Sequence, residues 1–388
     1  LMLSKNIILK EFGINKKKLE HKNKIVKLIK KYSTHKLIKS FSKEYKYTFD
    51  KSKINKYKKF SSYTIIGMGG SSLGIEAIYN FLNHKIKKKI NFINNLSTKK
   101  NFDNNKNKNL NIIISKSGNT LETITNFNNL ENKKNSLFIC EKSNNYLRNL
   151  ANKLKHEIIE HRNYIGGRYS VLSEVGMLPA MLMGLDDKKF KNFNNLVKNK
   201  KFINGLVDSV SSSIYFLKNK KFNSIVLNYD EQSEGIFQWY QQLIAESLGK
   251  KSKGFLPVVS NMPKDNHSLM QLYLDGPKKC FFTFFDVLEN KTKINKNSLI
   301  LNSHKYLKNK SIFDIKLAQK EATKIVFKNN KIPFRCFDLK NRSENSIGEI
   351  FTFFMLESIL LGEFLNVNPF DQPAVELIKV ETKKILKN

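Results

Sequence analysis

Nine short apolar runs, separated by segments long enough for helices, constrain this chain more than any other feature. The first five are YTIIGMGG (63–70), INFIN (90–94), LNIIISKSGNT (110–120), LFICEK (137–142) and EIIEH (157–161). After a helical stretch ending in GMLPAMLMGLDDKKF come SIVLNYD (224–230), LPVVSNM (256–262), FFTFFDVLE (281–289) and PFRCFDL (333–339). Short β-branched strands alternating with helices predict parallel sheets buried on both faces. The fold class expected is therefore α/β, in two lobes. Residues 5 to about 60 read as lysine-rich helices, such as KIVKLIKKY. The tail reads as a long apolar helix from Ser346, with Glu349 placed for a capping box, then the loop NVNPFDQPA and a charged last helix. The boundaries expected are 1–60, 61–200, 201–342 and 343–388.

A chain of 388 residues, 40% of them hydrophobic, can bury a sizeable core. Its formal net charge of +36 invites a nucleic-acid reading. The lysines, however, are spread through every segment, without aromatic interleaving or a recognisable binding motif, so drift toward Lys, Asn and Ile explains them better. No nucleic-acid partner is expected, although the positive field still attracts small anions. No apolar run approaches the ~20 residues of a membrane span, so no membrane partner is expected. The three cysteines are widely spaced and suit reduced thiols in a cytoplasm.

Four motifs carry chemistry. IIGMGGSSLG puts Gly67, Gly69 and Gly70 between a strand and a helix, where backbone can approach an anion. A tight strand-to-helix turn accounts for it equally well. SKSGNTLET gathers Ser115, Lys116, Ser117, Asn119 and Thr120 around Gly118 after a strand, as a metal-free phosphate cradle would. GGRYSVLSEVGMLP holds Arg168 in a turn from which it could meet an oxyanion, although on its own a surface arginine beside a turn is the default reading. QWYQQLIAESLGK sets Gln238, Gln242 and Glu246 on one helix face, with Ile236, Tyr240, Leu243 and Ser247 on another. Glu246 lies near the negative end of that helix dipole, which disfavours an ionised carboxylate, and from this stretch alone a solvated polar stripe accounts for the face best. HEIIEH is not a zinc motif, because its histidines are five residues apart in a strand. His267 follows a strand and loop and opens a helix, a setting that suits an acid/base residue, with a capping-region histidine without function as a fair rival.

These motifs, with FDQPAVELIKVETKKIL near the end, occur in an order that resembles the phosphoglucose isomerase family, in its shorter bacterial form with two sugar-isomerase (SIS) lobes. The resemblance implies two parallel-sheet α/β sandwiches flanked by helical segments. It also implies reversible isomerisation of glucose 6-phosphate and fructose 6-phosphate without metal or organic cofactor. Ser115, Lys116, Ser117 and Thr120 would then hold the phosphate, and Gly70, Ser71, Gln242 and Gln372 the sugar. His267 would open the ring, with Lys379 close by, from the neighbouring subunit of a homodimer. Glu246 would move the proton between C1 and C2 through a cis-enediol(ate), and Arg168 would stabilise its oxygen. Ala374 and Ile378 stand where the family pattern has glycine, which bears on the placement of Lys379. Two alternatives keep the scaffold: a dual phosphoglucose/phosphomannose isomerase, and a non-catalytic phosphosugar-binding regulator. The latter would need neither Glu246 nor His267.

Overall fold

The computed structural model describes residues 2–12, 21–96, 108–289 and 299–387. All nine apolar runs form strands, and a tenth appears near the N-terminus. The strands are β1 (Ile7–Lys10), β2 (Ser62–Ile66), β3 (Lys89–Ile93), β4 (Asn109–Ile114), β5 (Ser136–Cys140), β6 (Glu157–Glu160), β7 (Asn223–Asn228), β8 (Leu256–Asn261), β9 (Cys280–Val287) and β10 (Phe334–Leu339). They build two five-stranded sheets, ordered β3-β2-β4-β5-β6 and β8-β7-β9-β10-β1. Every pairing is parallel except β1 with β10. In each lobe the chain moves outward from its first strand in both directions. Doubly wound sheets bind ligands where that order reverses, beyond the strands' C-terminal ends. In the first lobe this place lies between β2 and β4, the strands that lead into GMGGSS and SKSGNT.

Two expectations are corrected. The segment from residue 5 is not helical throughout, because Ile7–Lys10 adds an antiparallel edge to the second sheet. Ile7 and Leu9 are fully buried while Lys10 faces solvent, the period-two pattern of a strand. The long C-terminal helix spans Glu344–Leu365 and is capped by Ser343, whose side chain accepts from the Ser346 backbone N–H. Glu349 takes no part in that cap. Its carboxylate accepts from Ser4 Oγ, from Asn6 Nδ2 at 3.1 Å and from Asn192 Nδ2 at 2.9 Å, so it ties the N-terminus to the core.

Helix Leu73–Phe81 of the first lobe packs along helix Glu234–Leu248 of the second, which also packs on Glu344–Leu365. One apolar cluster runs continuously through both lobes. Among the described residues, no helix is long and apolar enough to cross a membrane.

Candidate active site

Helix Glu234–Leu248 divides as its periodicity predicts. Ile236, Tyr240, Leu243 and Ser247 are buried, whereas Gln238 is exposed and Gln242 and Glu246 are half-buried. The 3₁₀ turn Gly167–Leu172 brings Arg168 against the end of this helix, fully buried. Arg168 Nη1 donates to Glu246 Oε2 at 3.0 Å and to Gln372 Oε1 at 2.8 Å. Its Nη2 donates to the carbonyls of Pro369 at 2.6 Å and Asp371 at 3.0 Å, and its Nε to Ser247 Oγ at 2.8 Å. A guanidinium has five N–H donors, and all five are used. Glu246, which the sequence placed against an unfavourable helix end, is thus given a cation by the fold.

The other Glu246 oxygen accepts from Gln242 Nε2 at 3.0 Å. Two donors leave lone pairs on that carboxylate unused, and its side chain is 29% exposed. Gln242 Oε1 is buried and has no hydrogen-bond partner among the described residues. A buried acceptor without a donor costs about 1–3 kcal/mol, so this atom calls for an incoming O–H or N–H group.

A relay behind Arg168 fixes its position. Arg168 Nε donates to Ser247 Oγ, Ser247 and the Tyr169 hydroxyl are 2.9 Å apart, and Tyr169 Oη donates to the Pro369 carbonyl at 3.2 Å. The Pro369 carbonyl also receives Arg168 Nη2, so the ring of hydrogen bonds closes. Burial raises the Tyr169 pKa against the opposing pull of Arg168, which keeps the hydroxyl a donor. Trp239 Nε1 donates to the Arg168 carbonyl at 3.0 Å. Phe370, between Pro369 and Asp371, stacks on His35 at 5.3 Å and meets Tyr169 at 5.7 Å. The N-terminal helices thereby brace the loop that holds the guanidinium. Sequence reasoning missed Tyr169, Trp239 and the two carbonyls. Ser247 did leave a signal, since a hydroxyl on a buried apolar face must find a partner.

The GMGG turn joins the site's parts. A Cβ on Gly70 would lie 2.2 Å from the Gly167 carbonyl carbon and 2.5 Å from the Arg168 nitrogen, so only glycine lets the two turns meet. The neighbouring Gly69 abuts Gln242, and Ser71 closes the same turn half-buried.

SKSGNT occupies the C-terminal end of β4. Ser115 Oγ and Thr120 Oγ1 are 2.8 Å apart, and the Ser117 hydroxyl accepts from the Asn119 N–H at 3.3 Å. Thr120 is the N-cap of helix Leu121–Asn128 but makes no side-chain cap, which leaves the first-turn amides open to an anion. Gly118 has φ +65°, and a Cβ there would strike Asn145 Oδ1 at 1.8 Å. Lys116 lies 3.5 Å from Glu141.

Two expected residues lie apart from this cluster. His267 ends the exposed 3₁₀ turn Lys264–His267, and no hydrogen bond or ion pair joins it to Glu246 or Arg168. Lys379 lies on helix Ala374–Ile385, which is at the surface throughout, and pairs with Glu376 at 2.6 Å.

The phosphoglucose isomerase family profile matches residues 21–388. A glucose-6-phosphate isomerase of Methanocaldococcus jannaschii is 32% identical over 356 residues, covering 86% of this chain and 86% of its own. One from Mycoplasmopsis pulmonis is 32% identical over 355 residues, covering 83% and 82%. Among solved structures, a hypothetical protein from Thermus thermophilus superposes with a TM-score of 0.83 at 22% identity, over 98% of this chain and 100% of that one. At such identity the likeness speaks for the fold.

Proposed function

The chain belongs to the phosphoglucose isomerase family, and from that premise we propose how its site works. It catalyses the reversible aldose–ketose isomerisation of glucose 6-phosphate and fructose 6-phosphate, a step of glycolysis and gluconeogenesis. The observation that carries the mechanism is the Arg168–Glu246–Gln242 cluster, a partly exposed carboxylate between a saturated guanidinium and an amide with an empty acceptor.

A hydrogen α to a carbonyl is weakly acidic, so its removal needs a positioned base and a partner for the developing oxyanion. Glu246 takes the proton from C2 of the open-chain aldose and returns it to C1 of the cis-enediol(ate). Arg168, already 3.0 Å from Glu246, stabilises the enediolate oxygen. Because every donor of Arg168 is engaged, substrate binding has to displace one of its present acceptors; Glu246 and Gln372, both on Nη1, are the half-buried or exposed side chains among them, whereas Ser247 is buried. The Gln242 acceptor takes a sugar hydroxyl, as does the amide N–H of Gln372, while Gly70 and Ser71 line the sugar. Ser115, Lys116, Ser117 and Thr120 hold the phosphate with the open helix N-terminus, anchoring the substrate away from its reacting carbons.

His267 opens the ring from the neighbouring subunit of a homodimer, with Lys379 close by. Its exposure and its separation from Glu246 within one chain favour that arrangement. So does helix Ala374–Ile385, where Leu377, Ile378 and Ile385 are 71–73% exposed, apolar surface that asks for cover. Cys140, Cys280 and Cys336 are unpaired thiols, in keeping with a cytoplasmic enzyme.

The test is Glu246→Gln, assayed in both directions. Turnover is expected to fall by roughly 10²–10⁴, the usual contribution of a general base, with KM within a few-fold. Wild-type turnover would remove Glu246 from the mechanism.

A further inference from the structure

Of the 69 basic side chains only five are arginines, at positions 148, 162, 168, 335 and 342. Arg168 belongs to the active site, and Arg335 and Arg342 are locked onto the carboxylates of Glu357 and Asp230. Arg162 is placed differently. Its Nη2 donates to the Lys46 carbonyl at 2.9 Å, but its buried Nε has no hydrogen-bond acceptor among the described residues. Nε does form a longer ion pair, at 3.7 Å, with the buried carboxylate of Glu174. The guanidinium lies over the rings of Tyr45 at 5.5 Å and Tyr164 at 5.9 Å, which hold it in one orientation.

Arg162 lines a cavity of about 540 Å³ together with Lys36, Lys39 and Lys46. None of these three ammonium groups has a hydrogen bond or ion pair with a described residue. Glu44, the single carboxylate in the lining, accepts from Asn194 Nδ2 at 2.9 Å. Four cations therefore face one acid in a concave space the size of a small-ligand site. Glu44, and Glu174 behind Arg162, offset only part of that charge, so the cavity favours an incoming anion.

We infer that this cavity is a second anion site, distinct from the Arg168–Glu246 centre, and that it takes a small ligand carrying two or more phosphate charges. Arg162 supplies a planar donor edge, and the lysines supply mobile charge around the rim. The local, concave shape favours a small anion over a nucleic acid backbone or a membrane, which would ask for an extended basic face. The inference is independent of the isomerase reading, because its measurement is binding and not turnover.

Inorganic pyrophosphate, titrated calorimetrically into the full chain, is the probe. Lys39→Glu/Lys46→Glu is expected to lose one binding event, or weaken it by about tenfold or more, while isomerase turnover stays at the wild-type level. Lys218→Glu/Lys328→Glu makes the same change of net charge on exposed lysines outside the cavity and is expected to keep that event. The inference is overturned if wild type binds no pyrophosphate or the cavity variant binds it as wild type does. It is also overturned if both variants weaken binding alike, since the general positive field would then account for it.

Discussion

Arg168 commits every one of its donors before any substrate arrives. A cation held that way is preorganised, and its holders matter as much as its charge. Ser247 is the one that can be removed most cleanly. Ser247→Ala leaves the buried Arg168 Nε without its acceptor, at a cost of about 1–3 kcal/mol. Turnover should drop by about tenfold, the rate equivalent of ~1.4 kcal/mol, more than KM rises. Ser247→Thr, which restores the hydroxyl, should recover much of that loss.

Lys191 offers a second test at this scale. Its buried ammonium has no hydrogen-bond partner among the described residues and lies over the rings of Tyr45 at 4.5 Å and Tyr47 at 4.2 Å. Burial lowers its pKa from 10.5 to about 7, against the pull of Asp187 and Glu174, while Lys51 adds to the lowering. The unfolded chain then binds the extra proton between about pH 7 and 10.5, so stability rises with pH across that window. Lys191→Met lacks this term. It should be more stable than wild type near pH 6, and the gap should narrow by pH 9. Parallel pH profiles of melting temperature would show that Lys191 does not titrate there.

At the scale of elements, the strands were legible because each pairs β-branched runs with helix-length spacing. Strand β1 was not, since Ile7–Lys10 is four residues set in a lysine-rich stretch that looks helical throughout. What makes it a strand is distant: the free edge of β10, and Glu349 waiting for Ser4 and Asn6. The same long-range bonds explain the misplaced cap. Glu349 reads as a local partner of Ser346, but its acceptors are occupied by residues that sequence spacing cannot reveal. Ile7→Ala, at a fully buried position, should lower stability by about 2–5 kcal/mol, seen as an earlier denaturant midpoint with an unchanged m-value. A change within ~0.5 kcal/mol would mean that β1 is not an integral edge.

For the whole molecule, the motifs identified the parts of the site but not how they meet. Glu246 and Gln242 were singled out from one stretch of sequence and Arg168 from another, yet nothing in those stretches shows a 3.0 Å ion pair, or GMGG as the turn that lets Arg168 approach. His267 and Lys379 remain outside the cluster of a single chain. If the histidine crosses between subunits, an inactive His267→Gln chain mixed with an inactive Glu246→Gln chain should regain activity after dissociation and reassembly. Random pairing puts both defects in one site of each mixed dimer and neither in the other, so roughly a quarter of all sites should be intact. No recovery in reassembled mixtures would place the histidine within its own chain.

The central claim is that Glu246 carries the proton between C1 and C2. It is tested most directly with glucose 6-phosphate deuterated at C2, following both ketose formation and the appearance of label in solvent. In Glu246→Gln, isomerisation and label loss should fall together by roughly 10²–10⁴ while the sugar phosphate still binds. Label loss continuing at the wild-type rate in that variant would contradict the account and assign the proton transfer to another residue.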